Sequence, residues 1–160
     1  MKTLNSYCRE IFGEKVYKLS LSCAVTCPNR DGTKGTSGCI FCSGAGSGDF
    51  AESALLPVGE QIERAKTRVS AKFTGNKYIA YFQAFTSTYA PLEYLERVFT
   101  EAIERDDIAA LSIATRPDCL DEGIYNPIRE CFLDKFFRHL MRIKILKTFL
   151  LFLWYLSKKE

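Results

Sequence analysis

The stretch at residues 27–42, CPNRDGTKGTSGCIFC, constrains this chain more than any other part of the sequence. Three cysteines occur in it at the spacing C-x11-C-x2-C, and they are Cys27, Cys39 and Cys42. The residues between them include three glycines and almost no large apolar side chain. A segment of this composition cannot form hydrophobic core, and it is typical of a loop that wraps around an inorganic centre.

The length and the cysteine content set the general class of the protein. A chain of 160 residues, 47% of them hydrophobic, is long enough for one modest core and predicts a single globular domain. The seven cysteines are an odd number, and the first residues lack the apolar segment of a secretory signal. We therefore expect a reducing, cytoplasmic location, where clustered thiols usually indicate metal binding or catalysis.

Strands and helices alternate through the first three quarters of the chain. Residues 14–21 show the period-2 pattern of a half-buried strand, and residues 77–85 are β-branched and aromatic, and apolar on both faces. A third strand is predicted at residues 108–114. Pro57 and Pro91 each open a helical pattern between two strands, whereas the first 13 residues give no clear signal. The order predicts an α/β fold with parallel crossovers, either doubly wound or a barrel. The polar segments that follow the three strands should then converge on one edge of the sheet.

The alternation stops at about residue 122. We therefore predict a core at residues 1–122 and a divergent basic and apolar tail at residues 123–160. The longest apolar run in this tail, residues 149–156, is much shorter than the roughly 20 residues that a membrane-spanning helix needs. The sudden loss of pattern favours a truncated or frameshifted gene product. The only histidine, His139, lies in the tail without nearby ligand candidates, and no catalytic role is expected for it.

The thiol spacing alone leaves two kinds of centre open. Three cysteines fit a [4Fe-4S] cluster with one iron free for a small ligand. With Cys23 added, the pattern C-x3-C-x11-C-x2-C supplies the four thiolates of a structural zinc site. If Cys23 continues the first strand, its side chain points away from the loop and only three ligands are left.

Three segments resemble the radical S-adenosylmethionine (radical SAM) superfamily: CPNRDGTKGTSGCIFC, YFQAFTSTYAPLE and LSIATRPDCL. More narrowly, they are similar to an uncharacterised bacterial subgroup related to the Elongator catalytic subunit, with its long first cysteine spacing. The resemblance covers residues 14–121 approximately. It implies the N-terminal part of a partial (β/α)6 TIM-like barrel, about three βα units, followed by a divergent helical tail.

The resemblance also implies roles for individual residues. The cluster ligands would be Cys27, Cys39 and Cys42. Contacts to the cofactor S-adenosyl-L-methionine would come from Phe41 near the adenine, and from Gln83, Ala84, Thr86, Thr115 and Arg116 at the strand ends. The chain departs from the family pattern where Gln83 to Thr86 replace a Gly-Gly-Glu-like segment, and where Ala114 replaces a glutamate. Arg116 has a second interpretation, as an ordinary charge paired with Asp118. No catalytic residue is assigned.

The implied activity is enzymatic. A radical SAM enzyme takes an electron from a donor such as flavodoxin or ferredoxin and reductively cleaves S-adenosylmethionine to a 5′-deoxyadenosyl radical, which abstracts hydrogen from a substrate. The substrate is unknown, and RNA is suggested only by analogy with the tRNA-modifying relative. Two alternatives stand beside it: a zinc-binding module with four cysteines, and an inactive truncated fragment.

Overall fold

The computed structural model describes residues 3–73 and 75–130. In chain order the elements are α1 (Leu4–Phe12), β1 (Tyr17–Leu21), α2 (Val58–Val69), β2 (Tyr78–Phe82), α3 (Leu92–Ile103), β3 (Ile108–Ile113) and a 3-10 turn (Pro117–Cys119). Residues 122–130 are helical as well. Most of the predicted tail, with Cys131 and His139, lies outside the described residues. No helix in the described part of the chain is long and apolar enough to cross a bilayer.

The sheet has three parallel strands in the order β1-β2-β3. The strands are consecutive in the chain, and α2 and α3 form the two crossovers. Tyr81 at the middle of the sheet is in register with Ser20 on one side and Ser112 on the other. The predicted α/β class, with parallel strands joined by helices, is therefore confirmed.

The main hydrophobic core lies on one face of the sheet. Both α2 and α3 pack there, and the alternating residues of the strands meet apolar side chains from the two helices. The rings of Phe82 in β2 and Phe99 in α3 are 5.0 Å apart in an edge-to-face arrangement, and both side chains are buried. Burial of this face gives the sheet most of its hydrophobic stabilisation.

The opposite face is covered by α1 only at the amino-terminal end of the strands. Cys8 of α1 packs against Ile79 and Ala110 there. Sequence analysis missed this helix, although both of its ends carry recognisable signals. Thr3 caps the first turn by accepting a hydrogen bond from the Ser6 N–H at 3.1 Å, and Gly13 ends the helix at a φ of +76°.

The strands are shorter than predicted, and the second face of β2 is only partly covered: Ile79 is buried there, whereas Tyr81 is half-buried. Its carboxyl end lies at Phe82 because the backbone turns soon after, with Phe85 at a φ of +59°. Tyr81 is half-buried on the face opposite α2 and α3, where the Lys18 ammonium lies 4.9 Å from its ring centroid. With Ser20 and Ser112 in register beside Tyr81, the middle of this face is polar.

Candidate metal centre

The segments that follow the three strands meet at one edge of the sheet, as predicted. The loop after β1 contacts the end of β2 where the Thr86 N–H donates to the Thr26 carbonyl at 3.3 Å. The end of β2 contacts the end of β3 where the Ser87 N–H donates to the Ala114 carbonyl at 2.9 Å. The thiol loop, residues 27–48, is therefore held at the carboxyl ends of three parallel strands, where α/β proteins commonly bind ligands.

The last part of the thiol loop is docked on the end of β2. The Phe85 N–H donates to the Gly46 carbonyl at 2.9 Å, and the Phe85 ring packs on the Cα of Gly46. A Cβ at Gly46 would overlap that ring, and one at Gly48 would lie 2.6 Å from the Ala84 Cβ. Only glycine at these two positions allows the loop to approach the strand end so closely.

Arg30 links the two halves of the thiol loop. Its guanidinium donates to the Ser43 carbonyl at 2.5 Å and to the Gly44 carbonyl at 3.2 Å. The same guanidinium lies 5.6 Å from the Phe85 ring centroid, a cation–π distance. Arg30 therefore joins the segment after Cys27 to the segment after Cys42 and to the end of β2.

A second contact joins the loop to the end of β3. Asp118 accepts two hydrogen bonds at 2.9 Å from Arg116, and Lys34 of the thiol loop also donates to it. Hydrogen bonds from Arg116 and then Lys34 hold the pKa of Asp118 well below its ordinary value. The pKa of Arg116 is raised, chiefly by its hydrogen bonds to Asp118. The pairing of Arg116 with Asp118 that the sequence left open is present.

The three candidate ligands are more exposed than two of the other cysteines of the described chain. Cys27, Cys39 and Cys42 are half-buried, whereas Cys8 and Cys23 are buried. Two of the three sulfurs accept hydrogen bonds, Cys39 from the Asn29 side-chain amide at 3.0 Å and Cys42 from the Ser47 hydroxyl at 3.4 Å. Accessible thiols with polar donors aimed at the sulfur are the chemistry that a thiolate-bound cluster requires.

The arrangement of these thiols is open. Within residues 3–73 and 75–130, no three side chains of His, Cys, Asp and Glu are grouped closely enough to hold a metal ion. The donor types of the thiol loop fit a cluster with three cysteine ligands, and binding one would require the three sulfurs to draw together. The eleven residues between Cys27 and Cys39 give the loop the length for such closure.

Cys23 is poorly placed as a fourth ligand. It is 1% exposed and packs within the main core with the residues of the sheet and of α2 and α3. Burial raises the pKa of its thiol to about 12, an effect that the Ser87 hydroxyl only partly offsets. A zinc ligand must be a thiolate, so this position disfavours the four-cysteine zinc site.

The residues expected to contact S-adenosylmethionine fall into two groups. Phe41 is 81% exposed on the thiol loop, and Thr115 is exposed at the end of β3. Ala84 and Thr86 are buried at the end of β2, beside the half-buried Gln83. The N–H groups of residues 83, 85 and 86 all donate within the chain, and the carbonyls of Ala84 and Thr86 already accept from Ser87 and Tyr89. A carbonyl has two lone pairs, so each can accept one further hydrogen bond from a ligand.

Two features near the site went unnoticed in the sequence. Gln61 of α2 is buried, and its side chain accepts from the Ser22 N–H at 2.9 Å and donates to the carbonyls of Ser22 and Leu56. It fixes both ends of the segment that contains the thiol loop, yet a glutamine on a helix gives no sequence signal for this role. The polar sheet face was detectable, because Lys18 and Ser20 alternate with leucines in β1.

An open cavity of about 490 Å³ lies beside the site, between the end of β2 and the helical residues 122–130. Its walls are mixed in polarity and come from the segments after β2 and β3: Thr88, Tyr89, Ala90, Pro91, Asp118, Cys119, Asp121 and Ile124. Cys119, expected to be a small buried side chain, is half-buried there. The cavity is therefore open to solvent at the same edge of the sheet as the thiol loop.

Several curated proteins are similar to this chain. The uncharacterized protein YtqA of Bacillus subtilis is 48% identical over 128 residues, which are 80% of this chain and 40% of YtqA. YhcC of Escherichia coli K12 is 37% identical over 119 residues, 74% of this chain and 37% of YhcC. The uncharacterized protein MJ0486 of Methanocaldococcus jannaschii is 34% identical over 118 residues, 72% of this chain and 35% of MJ0486.

The aligned region is most of this chain but less than half of each relative. The chain spans between 35% and 40% of the length of these three proteins. No protein-family model matches the chain, and no solved structure matches it.

Proposed function

We propose that the thiol loop binds a [4Fe-4S] cluster through Cys27, Cys39 and Cys42, and that the chain is the cluster-binding part of a radical SAM enzyme. When bound, such a cluster supplies an electron to S-adenosylmethionine, whose reductive cleavage gives methionine and a 5′-deoxyadenosyl radical for hydrogen abstraction from a substrate. The electron would come from an external donor such as flavodoxin or ferredoxin. RNA is a candidate substrate by analogy alone.

The position of the thiol loop carries this proposal. A glycine-rich loop with three accessible thiols is held against the carboxyl ends of β2 and β3 by Phe85 and by Lys34. A core-packing role for the loop is disfavoured, because Ile40 and Phe41, between its last two cysteines, are both largely exposed. Half-buried, accessible thiols at the ligand-binding edge of a parallel sheet favour cofactor chemistry over a purely structural role.

The residues around the loop suit the proposed cofactor. Carbonyl oxygens at the end of β2 can accept from the amino group of S-adenosylmethionine, and Phe41 offers an aromatic face to its adenine. Arg116 is already paired with Asp118, so a carboxylate of the cofactor would have to compete for its guanidinium. We therefore assign Arg116 a supporting part in the site and keep Gln83, Ala84, Thr86 and Thr115 as backbone or hydroxyl contacts.

We also propose that the sheet is the first part of a TIM-like partial barrel. In doubly wound sheets the strand order reverses and the helices cover both faces. Here β1, β2 and β3 follow one another in order, and α2 and α3 both pack on one face. That arrangement supports the barrel alternative, with the polar face of Tyr81 turned towards its interior.

Metal analysis after anaerobic reconstitution with iron and sulfide tests the proposal. The purified chain should become brown, with about four irons and four sulfides. Cys27→Ala, Cys39→Ala and Cys42→Ala should each lower the iron content, whereas the matched variants Cys8→Ala and Cys23→Ala should retain it. Chromatography would then show whether reduction by dithionite releases methionine and 5′-deoxyadenosine from added S-adenosylmethionine.

Two results would reject the cluster. One is a colourless protein with a single tightly bound zinc that Cys23→Ala abolishes, which would establish the four-cysteine zinc module. The other is a soluble, folded chain that retains neither iron nor zinc.

A further inference from the structure

Three hydroxyl groups lie side by side across the middle of the sheet, on the face opposite α2 and α3. Tyr81 of β2 is in register with Ser20 of β1 and with Ser112 of β3. Neighbouring strands are about 4.8 Å apart, so these side chains form a continuous polar row, which we call the hydroxyl row. All three residues are half-buried, and their hydroxyls make no hydrogen bond within residues 3–73 and 75–130. The row is therefore able to donate to a ligand.

A single positive charge lies beside the hydroxyl row. Lys18 precedes Ser20 by two residues on the same face of β1, and its ammonium is 4.9 Å from the Tyr81 ring centroid. In the part of the chain that the structure describes, Lys34 and Lys66 pair with carboxylates, whereas Lys18 does not. The ammonium of Lys18 is thus held near the row by the ring and keeps its hydrogen-bond donors free for an anion.

We propose that Lys18 and the hydroxyl row form a binding site for a phosphate group. Lys18 is the only charged residue in β1, β2 and β3, so the charge of this face favours an anion. A phosphate group presents at least three acceptor oxygens, whereas a carboxylate presents two. Phosphate can therefore accept from all three strands at once. The site lies apart from the thiol loop and goes beyond the proposed function, because it needs no bound metal.

The first helix forms one side of this site. Cys8 of α1 packs against Ile79 and Ala110, which precede Tyr81 and Ser112 by two residues on the same face. The apolar contact with α1 therefore ends where the hydroxyl row begins. An anion on the row would be shielded from water on the side of α1, and partial shielding strengthens charge-assisted hydrogen bonds.

Isothermal titration calorimetry of the purified, metal-free chain with inorganic phosphate tests the proposal. Lys18→Met keeps the length of the side chain but removes its charge, and it should raise the Kd at least about tenfold. Ser20→Ala and Ser112→Ala should each raise it about two- to fivefold. Lys15→Met is the matched control. The Lys15 ammonium likewise lies 5.8 Å from a tyrosine ring centroid, but that ring belongs to Tyr17, which packs against the main core on the other face.

The titration distinguishes a specific site from a diffuse attraction of anions to lysines. No binding of phosphate to the folded wild-type chain overturns the inference, and so does equal weakening by Lys18→Met and Lys15→Met. Acetate that binds as tightly as phosphate would overturn the assignment of a phosphate group. If circular dichroism shows that Lys18→Met does not fold, the double variant Ser20→Ala/Ser112→Ala decides instead. Because the chain is free of metal, failure here leaves the proposed cluster untouched, and a chain that binds no cluster leaves this site untouched.

Discussion

The ring of Phe85 packs on the Cα of Gly46, while the Phe85 N–H donates to the Gly46 carbonyl at 2.9 Å. Both residues have a positive φ, +59° for Phe85 and +62° for Gly46. This pair attaches the segment after Cys42 to the end of β2. The approach is possible because glycine has no side chain where the ring lies.

Gly46→Ala should therefore release the thiol loop from β2. The added Cβ overlaps the Phe85 ring, and the alanine must keep the left-handed φ of position 46. The free energy of unfolding should therefore fall by roughly 1–3 kcal/mol. Urea denaturation followed by circular dichroism measures the change. Gly44→Ala is the control, because a Cβ there meets open space. Equal effects of the two substitutions would contradict the close packing at Gly46.

Cys23 should make the stability of the fold depend on alkaline pH. Burial raises the pKa of its thiol from 9.0 to about 12 in the folded chain. The unfolded chain therefore loses this proton first, and stability falls as the pH rises from 9 towards 12, by roughly 1 kcal/mol per pH unit. Cys23→Ala should remove this part of the slope in unfolding experiments at pH 8 and 10.5, whereas Cys119→Ala should have a smaller effect, because partial burial raises the pKa of its thiol less. A wild-type slope that survives Cys23→Ala would show that other groups cause it.

Gln61→Leu should destabilise the chain strongly despite its similar size. The substitution leaves the Ser22 N–H and the carbonyls of Ser22 and Leu56 without their side-chain partner, and each buried unsatisfied group costs about 1–3 kcal/mol. Chemical denaturation should show a loss of about 3 kcal/mol. Gln83→Leu, at a half-buried position outside this network, serves as the comparison and should cost much less. Similar losses of stability in both variants would contradict the conclusion that the Gln61 hydrogen bonds stabilise the contact between α2 and the segments before and after the thiol loop.

Asp118→Asn should loosen the thiol loop without unfolding the sheet. The carboxylate pairs with Lys34 on the loop and Arg116 after β3, and the asparagine cannot hold both cations. Because the Lys34–Asp118 pair is partly exposed, trypsin cleavage after Lys34 should accelerate only about two- to five-fold. Asp106→Asn, in the turn before β3, is the matched control. The prediction fails if mass spectrometry shows the same cleavage rate at Lys34 in all three proteins.

Local pattern predicted the framework of the fold well. Alternating leucines located β1, and Pro57 and Pro91 located the starts of α2 and α3. The strand ends were less accurate, because the predicted second strand runs to Phe85 although the backbone there turns into a left-handed conformation. Composition cannot reveal that turn, which depends on the contact of Phe85 with a glycine distant in the sequence.

The sequence was enough to predict where the candidate site lies, but not the hydrogen bonds and ion pairs that hold its loop in place. The order of strands and polar segments was enough to place Cys27 to Cys42 at the carboxyl edge of the sheet. The contacts that hold the loop there, from Arg30, Lys34 and Gln61, join residues far apart in the chain and follow no local period. Arg30 and Lys34 are residue types common on protein surfaces, and the folded backbone determines which groups they contact.

The consecutive order of the strands has a consequence for how the protein acquires its shape during synthesis. Once about the first 85 residues have left the ribosome, β1 can pair with β2 and the ring of Phe85 can meet Gly46. The contact between Lys34 and Asp118 must wait until more than thirty further residues are made. A nascent chain would thus attach the cysteine-bearing segment to the end of β2 first and to the end of β3 only later.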